Sequence, residues 1–128
     1  MSETIKKTLS IRPRLGLAER QTPAEVEQAI RDAFARSNCI SATYNSTAVV
    51  LQPVLMFEEH DALFLMAATI SRDGKPPREI KTGIFRLAGM TNVRPARGVQ
   101  GIRVPMPEDW AAGRPTRRLV TSLETPSA

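Results

Sequence analysis

The spacing of apolar positions changes once along the chain, from a helical period to a strand period. Between residues 22 and 37 apolar side chains recur every three or four positions and form one stripe, which comprises Val26, Ala29, Ile30, Ala33 and Phe34. Thr22, Pro23 and Glu25 precede the stripe in the order of a capping box with proline at the first helical position. The pattern therefore predicts an amphipathic helix that starts after Thr22 and ends near residue 36.

From Cys39 onward the apolar period is two, which is typical of strands. Polar turn signals separate the apolar runs, so the predicted strands are residues 40–44, 49–57, 62–70, 79–87 and a short fifth at 90–94. Pro53 lies inside the second run and indicates an edge position or a β-bulge. One helix followed by four or five short antiparallel strands predicts a mostly β, α+β chain that closes into a small barrel.

The length of 128 residues fits one domain with two irregular ends. Residues 1–21 are polar and broken by proline and glycine, and we expect a flexible N-terminal arm. Residues 22–110 hold the helix and the strands, and a turn near their end would let Trp110 pack back on the barrel. Residues 111–128 are expected to form a flexible C-terminal tail.

The formal net charge of +5 comes from the two ends of the chain. Residues 1–20 carry five basic and two acidic side chains, residues 21–93 carry seven and eight, and residues 94–128 carry six and three. Such ends either attract polyanions without sequence specificity or only keep the chain soluble. No apolar run reaches a membrane span, no signal peptide is recognisable, and a single cysteine excludes an internal disulfide. We therefore expect a cytoplasmic protein with no membrane partner.

Five short segments match a known family pattern in order and spacing. They are Ile40-x-x-x-Tyr44, Leu51-Gln52-Pro53, Leu63-Phe64-Leu65, Phe85-Arg86-Leu87 and Pro107-Glu108-Asp109-Trp110. Together they resemble the WYL domain, the ligand-sensing module of bacterial transcriptional regulators, over about two thirds of the chain. The resemblance implies a helix on a five-stranded, antiparallel Sm/SH3-like barrel. The helix-turn-helix part that usually precedes this domain has no counterpart in residues 1–21.

The resemblance also implies a ligand and has two departures. Basic and hydroxyl side chains of the family's sheet hold a negatively charged ligand, often a nucleotide or nucleic acid. Here Leu63 and Phe64 replace the name-giving tryptophan and tyrosine. Ala88 and Gly89 follow the Phe-Arg-Leu strand where the family usually has an acidic residue and a second arginine. Contacts that need those polar groups are therefore lost.

Arg86 is the first candidate for a ligand-binding residue. By strand alternation it lies on the opposite face from Phe85, where its planar guanidinium can bind a phosphate or carboxylate. A solvated arginine, or one paired with a glutamate, is the alternative. Lys81 and Arg78, near the start of the same strand, would extend a basic patch. Tyr44 is either a second ligand contact or a core residue whose hydroxyl has one partner.

The sequence contains no recognisable catalytic constellation. His60 is the only histidine and lies in an acidic turn, and no convincing base lies near Cys39 in sequence. Phosphate-binding glycine loops and nucleophile elbows are absent. We therefore expect no catalytic residues, metal or cofactor, and a regulatory binding domain rather than an enzyme. Two alternatives stay open: an Sm-like RNA- or DNA-binding protein, for which aromatic residues are sparse, and an interaction module that forms a homo-oligomer or binds a partner protein.

Overall fold

The structure is a computed structural model, and it describes residues 21–122. This part of the chain contains one α-helix and six strands. Helix α1 spans Pro23–Arg36. The strands are β1 (Ile40–Tyr44), β2 (Thr47–Glu59), β3 (Ala62–Arg72), β4 (Thr82–Arg86), β5 (Met90–Pro95) and β6 (Arg118–Ser122). A single 3-10 turn, Leu87–Gly89, joins β4 to β5. The predicted helix and the first five strands are confirmed, with end positions that differ by up to three residues.

Helix α1 begins with the predicted capping box. The Thr22 hydroxyl accepts a hydrogen bond from the Glu25 backbone N–H at 3.1 Å, and the Glu25 carboxylate accepts one from the Thr22 N–H at 2.8 Å. Ser37 ends the helix in the left-handed conformation, with φ of 55°. The apolar stripe faces the sheet, with Val26, Ile30, Ala33 and Phe34 buried and Ala29 packed beside them.

The strands form one antiparallel sheet in the order β4-β3-β2-β1-β5. Strand β2 is the centre: β3 pairs along one side of it, while β1 and then β6 pair along the other. Within residues 21–122 no backbone ladder joins β4 to β5, so the pairing forms an open path. The mostly β, α+β class is therefore confirmed, with β6 as a strand that the sequence pattern did not predict.

Tight turns and one bulge shape this sheet. Three two-residue turns, Asn45-Ser46, His60-Asp61 and Asp73-Gly74, lie between the predicted apolar runs, and both residues of each have positive φ, as in type I′ hairpin turns. The β2–β3 register shifts between Pro53 and Leu55, which supports the bulge alternative. Pro53 lies in the central strand, between the residues of β2 that pair with β1 and those that pair with β6.

Strand β2 contributes to two cores. The larger core lies between α1 and the sheet. The smaller one contains Leu55, Phe57 and Met66, against which Phe64, Met106 and Trp110 pack. The Phe57 ring lies 5.2 Å from that of Phe64 and 5.9 Å from that of Trp110, centroid to centroid. Trp110 thus packs back on the sheet, as predicted.

The prediction of a flexible tail from residue 111 is wrong for residues 118–122, which form β6 on the second half of β2. The approach to β6 is fixed by Arg117, whose side chain is only 11% exposed. Its guanidinium carbon lies 4.5 Å from the Phe57 ring centroid, and it donates a hydrogen bond to the Trp110 carbonyl at 2.6 Å. Residues 123–128, and the predicted arm up to residue 20, lie outside the described residues.

Glu59 at the end of β2 anchors the same segment from the sheet side. Its carboxylate accepts hydrogen bonds from the Thr116 hydroxyl at 3.0 Å and from Arg117 Nε at 3.5 Å. Burial alone would raise the pKa of this carboxyl. The Thr116 hydroxyl and the Arg117 and Arg114 guanidinium groups outweigh burial, and the pKa lies below its usual value.

Candidate anion-binding site

A concavity of about 450 Å³ lies between the β1–β2 turn and strand β4. We call it the anion concavity. Its polar lining side chains are Tyr44, Asn45, Thr47, Thr69, Arg72, Lys81 and Thr82. Arg72 and Lys81 are both exposed, and no aspartate or glutamate is among the described residues that line it. The concavity is therefore positively charged and rich in hydroxyl donors.

Strand pairing brings the two basic residues together. Arg72 is the last residue of β3, and Lys81 immediately precedes β4. The Thr69 N–H donates to the Lys81 carbonyl at 3.3 Å, which continues the β3–β4 ladder one position beyond β4. The tight Asp73-Gly74 turn, closed by the Arg72–Lys75 bridge, then places the end of β3 beside the concavity.

Tyr44 lies at the inner wall of the concavity. Its half-buried ring meets Phe85 edge-on, with centroids 5.1 Å apart. Its hydroxyl oxygen accepts a hydrogen bond from the Arg86 backbone N–H at 3.3 Å. Within residues 21–122 this is the one hydrogen-bond partner of the hydroxyl, as the core interpretation expects, and no described group accepts its hydrogen, which could be donated to a ligand.

Arg86 is exposed on the face opposite the buried Phe85, as the alternation predicts. It does not line the anion concavity. It lines a groove of about 610 Å³ between the start of α1 and the β2–β3 turn, together with the acidic residues Glu27 and Asp61. Within the described part of the chain its guanidinium makes no ion pair or hydrogen bond.

The structure thus divides the four predicted site residues. Tyr44 and Lys81 share the anion concavity, Arg86 lies in the other groove, and the exposed Arg78 lines neither. Sequence reasoning missed Arg72. Its position directly before Asp73-Gly74 is the signal that could have found it. That turn marks the end of β3, where the chain reverses toward β4.

The described lining of the concavity has groups that bind anions: a guanidinium, an ammonium and several hydroxyl donors. No carboxylate, imidazole or thiol that could act as a base is among these described residues. No three histidine, cysteine, aspartate or glutamate side chains among residues 21–122 are grouped to hold a metal ion. His60 is exposed in its turn beside Glu59 and Asp61, and these neighbours do not form such a group with it.

Cys39 is a buried structural residue. Its thiol donates to the Gln52 side-chain carbonyl at 3.4 Å, and the same oxygen accepts from the Ile102 N–H at 3.2 Å. Burial raises the pKa of the thiol, which lowers the thiolate fraction and hence its reactivity. These contacts hold the segment around residue 102 against β2.

Comparisons of the chain with protein-family models, with curated proteins and with solved structures find no match. No helix in residues 21–122 has the length and hydropathy that crossing a membrane requires. The resemblance to WYL domains stays an expectation from short motifs.

Proposed function

We propose that this protein is a regulatory binding domain that holds the negatively charged group of a small ligand, such as the phosphate of a nucleotide, in the anion concavity. The observation that carries the proposal is the convergence of Arg72 and Lys81 with threonine and tyrosine hydroxyls in one concavity, with no carboxylate among the described residues that line it. A guanidinium binds two oxygens of a phosphate or carboxylate at once, and an ammonium adds a compact positive charge.

Both cations are exposed, and this sets the expected affinity. Exposed charges are screened by salt over about 10 Å at 0.1 M ionic strength. We therefore expect binding that weakens as salt is raised and that improves with the number of phosphates. The hydroxyl groups fix the orientation of the anion more than they add to its binding energy.

We infer further that the sheet is of the Sm/SH3-like small-barrel type, as in WYL domains. An N-terminal helix followed by strands in the spatial order β5-β1-β2-β3-β4 supports this. So does the bend of β2 at its two register shifts. The Tyr44 hydroxyl and ring contact Arg86 and Phe85 and thereby link β1 to β4 across the gap in the backbone pairing.

Sm-like nucleic-acid binding has less support from the side chains. Base stacking needs exposed aromatic faces. All six aromatic residues of the chain lie within residues 21–122, and each is buried or half-buried. A regulatory role in transcription would therefore depend on ligand occupancy of the concavity rather than on base stacking by this domain.

Titration calorimetry with AMP, ADP and ATP at low salt tests the proposal. Arg72→Ala and Lys81→Ala should each weaken binding about three- to tenfold, which is about 0.7–1.4 kcal/mol. Arg78→Ala is the matched control, because it removes an equal exposed charge that does not line the concavity. Equal losses for all three variants would mean that net charge alone attracts the nucleotide. Absence of binding to the wild type would overturn the proposal.

A further inference from the structure

The two edge strands of the sheet, β4 and β5, differ in whether their outer backbone groups can pair with a further strand. At the β5 edge, the Gln21 side chain donates to the Val93 carbonyl at 3.0 Å and accepts from the Val93 N–H at 2.7 Å. Pro95 has no N–H, and Asn92 adopts a positive φ of 53° that interrupts regular pairing. Proline, irregularities and occupied backbone groups all prevent strand addition. The β5 edge is therefore closed.

No strand of residues 21–122 pairs with the outer side of β4. The Lys81 carbonyl faces β3, and the backbone groups of Gly83 and Phe85 therefore face β3 as well. The backbone groups of the residues between and after them, Thr82, Ile84 and Arg86, point away from the sheet. Of these, the Arg86 N–H is occupied by the Tyr44 hydroxyl. Within residues 21–122 the outward backbone groups of Thr82 and Ile84 have no partner, and the Ile84 side chain is 44% exposed.

We propose that this open edge binds an extended acidic segment of a partner protein, which adds to the sheet as one more strand beside β4. Strand addition takes its affinity from main-chain hydrogen bonds and its selectivity from alternate side chains. Thr82 and Ile84 offer two N–H donors and two carbonyl acceptors, and the Tyr44 hydroxyl ends the free edge at Arg86. The segment in contact would therefore be about three to five residues long.

Charge selects an acidic segment. Lys81 and Arg72 lie at one end of the free edge and Arg86 at the other. Glutamate or aspartate side chains on one face of the added strand would lie near Lys81 and Arg72, while apolar side chains on its other face would cover Ile84. A second copy of this chain is less suited, because it would bring an equally basic β4 edge or its closed β5 edge.

Fluorescence anisotropy with a short labelled peptide tests the inference. The probe is fluorescein-labelled Val-Glu-Val-Glu-Val-amide, and the charge control is Val-Lys-Val-Lys-Val-amide. Two backbone controls keep the glutamate sequence: one is N-methylated on the two glutamates and the other on the three valines. We expect at least tenfold weaker binding of the lysine peptide. The methylated version whose lost N–H groups face β4 should also bind at least tenfold more weakly, because it cannot complete the ladder. Equal binding of the unmethylated peptide and both methylated versions would overturn strand addition.

Substitution at Ile84 locates the site. Ile84→Pro removes the outward N–H, and proline is tolerated where an edge N–H faces away from the sheet. Ile84→Val is the matched control because it keeps the backbone and most of the side chain. We expect Ile84→Pro to abolish peptide binding and Ile84→Val to retain it. If Ile84→Pro does not fold, as circular dichroism would show, the methylated peptides on the wild-type protein decide.

The same samples separate this inference from the nucleotide proposal. If nucleotides bind and the peptides do not, the edge proposal alone fails. If the peptides bind and nucleotides do not, the function proposed above fails. Light scattering that finds a dimer in the wild type and a monomer in Ile84→Pro would assign the edge to a second copy of this chain, against the proposal.

Discussion

Gln21 offers a direct test of how the end of the sheet is protected. Its side-chain amide hydrogen-bonds both backbone groups of Val93, as a neighbouring strand would. Val93 itself is only 2% exposed. Gln21→Ala should therefore leave a donor and an acceptor without protein partners at a nearly buried position.

The size of the effect follows from this geometry. An unsatisfied buried donor or acceptor costs about 1–3 kcal/mol, and less where water reaches it. Gln21 is half-buried, so water can replace part of what the amide provides. We expect the free energy of unfolding to fall by about 1–3 kcal/mol in total. For a domain of this size that lowers the Tm by roughly 5–15 °C.

Urea denaturation followed by circular dichroism measures the loss. Gln28→Ala is the matched control: the Gln28 amide also makes a hydrogen bond, to Asp32 at 2.9 Å, but both side chains are exposed on α1. We expect that control to change stability by less than about 0.5 kcal/mol. Hydrogen exchange at the Val93 amide should accelerate in Gln21→Ala before the rest of β5. Equal stability of the two variants, or unchanged exchange at Val93, would refute the role assigned to Gln21.

Three further predictions concern the C-terminal segment and the buried thiol. The pKa of Glu59 is lowered in the folded state, so its stabilising effect is present above about pH 4.5 and is lost as the pH falls through the folded-state pKa. The urea midpoint of Glu59→Gln should therefore depend less on pH between 7 and 3 than that of the wild type, and parallel curves would contradict this. Trp110→Ala should lower the free energy of unfolding, measured in urea, by about 2–3 kcal/mol, which is below the usual range for a fully buried tryptophan because the ring is half-buried. A loss under about 0.5 kcal/mol would show that the segment around Trp110 does not cover the smaller core. Cys39 should react slowly with a thiol reagent at pH 8 and quickly in urea, because burial raises its pKa and blocks access; rapid reaction of the native protein would place the thiol at the surface.

Local patterns predicted most of the fold. The capping box at Thr22 and the apolar stripe that starts at Val26 act within a few residues of one helix, so the sequence shows them directly. The same holds for the two-residue turns, and Pro53 marks the position of a register shift in β2. Period-two alternation gave the strands and placed Arg86 opposite Phe85.

Features that depend on long-range register were not visible in the sequence. Strand β6 contains Leu119 and Val120 within a proline-, glycine- and arginine-rich region, and β2 residues 55–58 select it as a partner. The anion concavity has the same origin, because Arg72 and Lys81 are nine positions apart and meet only through the β3–β4 register. Alternation itself puts Lys81 on the face of Phe85 and Arg86 on the opposite face, and the expectation of one basic patch did not take this into account.

Segments outside the predicted barrel strands decide which surface of this protein stays available. Gln21 occupies the β5 edge, and β6 completes the free side of β2. Trp110 and Arg117 cover the second face of the sheet at Phe57. At β4 the described chain supplies only one substitute partner, the Tyr44 hydroxyl at Arg86. Unpaired backbone and an exposed isoleucine on β4 therefore lie next to two cations, Lys81 just before β4 and Arg72 at the end of β3, which is why both proposed binding events are assigned to β4 and its concavity.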